Sequence, residues 1–390
     1  MTMHLRKLVA AVTASIIILA GCKKESTTQK TDTPPDDCVE SQSTSNVTGK
    51  YIIAYNNGSV NARAMSEQRL QQESENVLER NSIDPVAIEE TFSGEPGGFI
   101  ARLSDVQVAK LRLDNAVQFI EPDRVVALST CFTVTAPTLI TWNVRRVGYG
   151  NGIGKTAWII DTGIDFDHPD LDVDVTRSRS FLGGSTTADD ENGHGTHVAG
   201  IIAAKNNDIG VLGVASGAKV VSLRVLNAEG SGSLSAIIQA LGYVNTNASA
   251  GDVVNMSLGL DTISNILNQQ VQNTAARGIF IAIAAGNDGQ PASHFSPSGA
   301  NGPNIYTVSA VDSTDRFASF SNYGNDAVDY AAPGVRILST YKGGQYAYMS
   351  GTSMATPHVA GLLLLKGRNI TTSGSARNDP DGTADPIAHY

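Results

Sequence analysis

The chain has 390 residues, 38 of them glycine, with 28 Lys and Arg against 38 Asp and Glu and a formal net charge of −10. That length carries two folded units and a large core, and the acid excess argues against nucleic acid as a partner, which a basic patch would signal. No internal repeat is present, and the glycines suit a fold with many tight strand–helix turns.

In chain order, Arg6 and Lys7 precede an apolar run from Leu8 to Ala20. The run is shorter than the ~20 residues that span a bilayer. With its charged, apolar and small-residue parts it reads as a secretory signal over residues 1–21. The ending Leu19-Ala20-Gly21-Cys22 resembles a bacterial lipoprotein box, which implies acylation of Cys22, a membrane attachment through that lipid and export from a bacterial cell. Lys23 in place of aspartate resembles lipoproteins sorted to an outer membrane, with the cell surface or the exterior as the other destinations. Residues 22–47, rich in Ser, Thr, Asp and Pro, cannot bury a core and read as a flexible tether.

A small unit follows over residues 48–130. Tyr51–Tyr55 predicts a strand, Ala64–Arg80 a helix, Val86–Phe92 and Gly98–Leu103 two strands, Asp105–Leu113 a helix and Val117–Ile120 a last strand. The order βαββαβ is the ferredoxin-like pattern. From residue 155 onward apolar strands and helices alternate, which predicts an α/β domain with a mostly parallel sheet flanked by helices.

Three Gly-flanked blocks carry chemistry. Ser353 lies in Gly351-Thr352-Ser353-Met354-Ala355-Thr356-Pro357-His358, before an apolar helix predicted over Met354–Lys366 with Pro357 near its first turn. A helix start favours developing negative charge on the hydroxyl. Asp161 closes the apolar run Ala157–Ile160, and His194 opens His194-Gly195-Thr196-His197. A serine nucleophile needs a base, and the base needs an orienting carboxylate. The order Asp, His, Ser is that of subtilisin. These blocks identify the chain as resembling the subtilisin-like serine proteases, most closely their proteinase K-like branch, over roughly residues 48 to 366.

The resemblance implies that Asp161, His194 and Ser353 form the triad and that Asn287, after the strand-like Ile279–Ala285, donates its amide to the oxyanion. From the residues alone, Asn287 reads first as a turn residue before Asp288-Gly289, and the neighbouring motif blocks are what favour the oxyanion role. The resemblance further implies that Ser257, Leu258 and Gly259 pair with an extended peptide substrate. Ala284, Ala285 and Gly286 then wall a pocket for medium or large apolar side chains rather than Lys or Arg. A zinc reading of His194 and His197 lacks the glutamate of His-Glu-x-x-His, and the family uses His168, His197 and His358 structurally.

The small unit resembles the family's inhibitory propeptide, an intramolecular inhibitor that folds with the enzyme and is cut off. The cut is expected between about Leu128 and Cys131, leaving a peptidase domain over 131–368 and a tail over 369–390 that either docks or hangs free. In an exported chain Cys38 and Cys131 either pair, tethering the cut propeptide, or remain free or bridge to another molecule. No cofactor is implied for the chemistry. Structural calcium is compatible with the oxygen-rich loops Asp165–Asp174 and Asp189–Glu191, with no ligands assigned. Two rivals remain: a binding protein on the same fold and an acyl transferase that passes the acyl group to an amine.

Overall fold

The computed structural model describes residues 46–127 apart from 57, 63 and 64, then 132–134, and 140–390 apart from 185 and 186. The expectations for the signal, the tether, Cys22, Cys38, Cys131 and the cleavage window all lie outside these residues. No helix among the described residues is long and apolar enough to cross a membrane.

The N-terminal unit follows the expected βαββαβ order. Its strands Asn46–Tyr55, Ile88–Phe92, Gly98–Arg102 and Val117–Ala127 form one antiparallel sheet. Local chemistry sets the boundaries that differ from expectation. Ser66 accepts from the Arg69 N–H at 3.4 Å, so the first helix is Glu67–Arg80 and starts later than Ala64. Pro85 sits in a short 3-10 turn capped by Asp84, which delays the following strand to Ile88. Ser104 and Gln107 form a capping box at the start of Asp105–Leu111, which ends before Leu113. The last strand runs past Ile120 to Ala127 because it finds a partner outside its own unit.

The second unit is built on parallel strands. From Val328–Pro333 the sheet passes through Ile305–Val311, Phe280–Ala284, Val253–Met256, Thr156–Asp161 and Lys219–Arg224 to Asp172–Val173. Alternation explains why both faces are covered. Ala157 and Ile159 pack with helices His194–Ala203 and Thr352–Lys366, while Trp158 and Ile160 pack with Leu234–Asn247 and Asn265–Ala275. The chain goes from Thr156–Asp161 outward to Lys219–Arg224 and then back across to Val253–Met256. The carboxyl ends of the first and last of these strands therefore flank a topological switch point, where α/β sheets place their sites.

The tail docks. Pro386–His389 adds a strand parallel to Val328–Pro333, and Thr371–Ser375 pairs antiparallel with it.

The two units share a core. Ile52, Ala54, Phe92 and Ile100 from the N-terminal sheet belong to the same buried cluster as Leu234, Ile238 and Leu267 from the helices beneath it. Contact is close enough to require Gly242, where an added Cβ would lie 2.6 Å from the Ser93 carbonyl oxygen.

Candidate active site

Asp161 ends its strand fully buried, and its Oδ1 accepts from His194 Nδ1 and from the Thr162 N–H, each at 2.7 Å. His194 is the first residue of its helix, and its Nε2 is buried without a hydrogen-bond partner. Nδ1 carries the proton if it is to donate to the carboxylate, which leaves Nε2 with a free lone pair.

Asp190 holds this geometry from below. Its Oδ1 accepts from the Asn192 and Gly193 N–H groups at 2.9 and 2.8 Å, and its Oδ2 from the Thr196 N–H and hydroxyl at 3.0 and 2.6 Å. A carboxylate here satisfies the open donors of the His194 helix and complements its dipole. Thr162 closes the frame, donating its hydroxyl to Asp190 Oδ1 and accepting from the Gly195 N–H, both at 2.9 Å. Burial raises the Asp190 pKa, and its hydrogen bonds pull the other way. The neighbouring Glu191 is drawn to Arg224 at 2.6 Å.

Ser353 is the second residue of the helix Thr352–Lys366, which starts two residues earlier than expected and so includes it. Pro357 is deeper than expected, inside the helix, where its missing N–H leaves the Ser353 carbonyl without the usual partner four residues on. The Ser257 hydroxyl takes that carbonyl at 2.8 Å, and Ser353 Oγ donates to the Ser257 carbonyl at 3.1 Å. Asn255 Nδ2 donates to the Ser257 hydroxyl at 2.9 Å and completes the clasp. In this state Ser353 Oγ spends its proton on Ser257 rather than on His194, although the two helices pack within one core cluster.

Asn287 is clamped by its oxygen. Oδ1 accepts from the Thr352 N–H at 2.9 Å and from the Thr352 hydroxyl at 3.0 Å, and Nδ2 has no acceptor among the described residues. A Cβ at Gly351, whose φ is +152°, would lie 3.6 Å from Asn287 Nδ2 and 3.7 Å from the Ser353 nitrogen. Two N–H donors therefore border one small space beside Ser353.

Leu258, Gly259, Ala284, Ala285 and Gly286 line a pocket that also touches Ser353, together with Leu260, Asp288 and Phe295. Ser257 is not part of that wall, since its side chain and carbonyl are both tied to Ser353.

Sequence reading missed the strand that receives the end of the N-terminal unit. Ser231–Ser233 pairs antiparallel with Val125–Ala127 and becomes the edge of the N-terminal sheet. The Gly230-Ser231-Gly232-Ser233 run has no apolar alternation and reads as a loop. It also missed two carboxylates of the N-terminal unit that cap helices of the second unit. Asp123, fully buried, accepts from the Ser235 N–H at 3.1 Å and hydroxyl at 2.8 Å at the start of Leu234–Asn247. Glu121 accepts from the Ser264 hydroxyl at 2.5 Å and the Ile266 N–H at 3.0 Å at the start of Asn265–Ala275.

The remaining histidines face protein. His197 Nε2 donates between the Ile337 and Ala347 carbonyls, both at 3.0 Å, and burial pushes its pKa down to about 3. His358 bonds the Met354 carbonyl and the Asn143 amide, and burial takes it to about 4. His168 contacts the Gln345 carbonyl at 3.0 Å. No metal-binding cluster of His, Cys, Asp or Glu occurs among the described residues.

Comparison with known proteins places this geometry. The model of the subtilase family matches residues 154–372, and that of the peptidase inhibitor I9 family matches residues 50–129. The chain is 37% identical over 344 residues to an alkaline protease of Alkalihalobacillus alcalophilus, covering 86% of each chain. It is 40% identical over 291 residues to the M-protease of Shouchella clausii, covering 72% of each. A solved cold adapted subtilisin-like serine proteinase superposes with a TM-score of 0.56 at 35% identity, over 64% of this chain and 98% of that one. The chain belongs to the subtilase family of serine proteases and carries an I9 inhibitor domain ahead of its catalytic domain.

Proposed function

We propose that the protein hydrolyses peptide bonds through Asp161, His194 and Ser353. The observation that carries this is the 2.7 Å bond from His194 Nδ1 to Asp161, which leaves Nε2 as a base. Ser353 Oγ turns from the Ser257 carbonyl to Nε2, gives up its proton and attacks the substrate carbonyl carbon. Asp161 stabilises the imidazolium. Asn287 Nδ2 and the Ser353 N–H receive the negative oxygen, and the imidazolium then protonates the leaving amine. Water, deprotonated by the same Nε2, releases the acyl group. The small uncharged wall of Ala284 to Gly286 supports a broad, apolar-leaning preference that does not select Lys or Arg.

The zymogen cuts itself. Val125–Ala127 is held on Ser231–Ser233, and Phe132–Val134 pairs with Gln345–Met349, four residues before Ser353. Those two anchors bracket the expected cut between about Leu128 and Cys131. The organisation is then a signal over 1–21, a tether over 22–47, a propeptide over 48–130, a peptidase over 131–368 and a tail over 369–390. Cys22 carries the lipid that attaches the exported chain to a membrane, and a Cys38–Cys131 bridge keeps the cut propeptide attached. The proteinase K-like placement rests on the motif blocks alone.

Structural calcium has no assembled set of ligands among the described residues: Asp170 Oδ1 is buried and unpartnered in the Asp165–Asp174 loop, but Oδ2 already accepts from the Val211 N–H and the Tyr346 hydroxyl, and no carboxylate or histidine cluster joins it.

The decisive experiment is the intact mass of residues 23–390, wild type beside Ser353→Ala, after incubation. Two fragments split near residue 130 in the wild type alone are expected. Both chains remaining whole while casein also stays uncut would overturn the assignment. Non-reducing gels of processed protein read the bridge, since separation without reductant sinks it.

A further inference from the structure

The turn Ser93-Gly94, which leaves the strand Ile88–Phe92, seats between the helices Leu234–Asn247 and Asn265–Ala275. On one side the Ser93 carbonyl oxygen closes over Gly242. On the other, a Cβ at Gly94 would lie 2.5 Å from Gln270 Nε2 and 3.3 Å from Oε1. Gly94 has φ +135°, a conformation that favours glycine, so bare backbone covers the Gln270 amide. Gln270 lies one helical turn past Ile266, whose N–H Glu121 takes at 3.0 Å, and the two residues share the face that meets the N-terminal unit.

Gln270 is fully buried there, and neither Nε2 nor Oε1 has a hydrogen-bond partner among the described residues. Gln239, on the other helix, differs: its amide donates to Glu90 of the N-terminal sheet. A buried amide with both ends unpaired gives up its hydration and receives no bond in exchange. The contact between the two units therefore holds favourable bonds at Asp123 and Glu121 and an unfavourable burial at Gln270.

We infer that Gln270 limits how tightly the N-terminal unit is held, so that the unit departs once the chain is cut. Before the cut the unit is covalently attached, and a weak spot in the contact costs little inhibition. After the cut, departure lets water reach the amide, and that hydration favours the separated state. The inference rests on the reading of the N-terminal unit as an intramolecular inhibitor.

The test follows residues 23–390 through maturation, with reductant present so that no disulfide holds the pieces together. Intact mass times the cut, and hydrolysis of a peptide p-nitroanilide times the release, so the lag between them reports how long the cut unit stays bound. A fluorophosphonate label on Ser353 at the end of maturation counts active sites. Gln270→Met keeps the length of the side chain without the amide and is expected to lengthen the lag by about 5- to 100-fold. The rate of the cut and the kcat/KM of released enzyme should stay as in wild type. Gln270→Leu should act in the same direction and keeps the test open should the methionine variant fail to label, whereas Gln270→Glu, which buries a charge, should shorten the lag. A lag unmoved or shortened in labelled Met and Leu variants overturns the inference. Full activity in cut enzyme that still elutes with its N-terminal unit on gel filtration would instead overturn the inhibitor reading, and the inference with it. A chain that neither cuts itself nor hydrolyses the substrate overturns the Ser353 reading, and the release step falls with that too.

Discussion

Replacing Asp123 by alanine should loosen the propeptide's grip on the enzyme more than its single side chain suggests. The carboxylate is fully buried, takes two bonds from Ser235 at 3.1 and 2.8 Å, and lies 3.3 Å from Lys50 Nζ. Removing one partner of a buried, hydrogen-bonded charge at an interface costs about 2–5 kcal/mol. The lower part of that range, about 2–3 kcal/mol, corresponds to a ~30- to 150-fold weaker inhibition constant. Glu121 is only half-buried, so charge-assisted bonds and the helix dipole make its loss cost about 1–2 kcal/mol, or ~5- to 30-fold. The two residues cap different helices and share no partner, so their effects should multiply in the double variant. The assay adds isolated propeptide, wild type or variant, to matured enzyme and reads inhibition from progress curves, with far-UV circular dichroism reporting the propeptide's fold. Asp123→Asn keeps an acceptor for Ser235 and should lie between wild type and alanine. A folded Asp123→Ala propeptide inhibiting within threefold of wild type would refute the capping argument.

Three further outcomes follow from the structure. Asn287→Ala should lower kcat by about a hundred- to a thousandfold with little change in KM, the loss known for the equivalent donor in subtilisin; an unchanged kcat removes Asn287 from the oxyanion site. Ser257→Ala should destabilise the catalytic domain by about 1–3 kcal/mol in urea unfolding, because Pro357 leaves the Ser353 carbonyl with no other donor; an unshifted midpoint contradicts this. Asp385 is buried against the Ser309 hydroxyl at 2.5 Å, and burial, aided by Asp379, Asp381 and Asp329, lifts its pKa to about 7. The folded state then holds a proton that the unfolded chain releases near pH 4, so stability declines as pH rises from about 4 to about 7. Asp385→Asn mimics the protonated form and should exceed wild type at pH 8 by on the order of 1–3 kcal/mol, with the gap closing below pH 4; a gap independent of pH refutes the proton account.

What the sequence determined by itself was everything carried by short-range pattern. Ala157 to Ile160 reads as a strand buried on both faces because consecutive side chains point to opposite layers, and the structure fills both layers with helices. Asp161, His194 and Ser353 were legible as a candidate triad because each stands in a Gly-flanked block whose backbone must turn sharply at a strand or helix end, whereas Asn287 was named only through the family resemblance. The βαββαβ order of the small unit was legible for similar local reasons, and its boundaries moved only where caps at Ser66, Asp84 and Ser104 set them.

Tertiary structure alone decided the contacts that join residues distant in the chain and carry no local pattern. Ser231–Ser233 becomes a strand only because Val125–Ala127 lies against it. Asp123 and Glu121 look like ordinary surface acids until the starts of two helices arrive to meet them. The acidic tail becomes part of the main sheet by pairing with Val328–Pro333. Phe295 joins the lining of the Ser353 pocket through the turn after Ala292, a neighbour that the small residues along the pocket wall do not signal. The physical reason is common to all four: side-chain periodicity reports which way a residue points from its own backbone, and says nothing of which backbone comes to meet it.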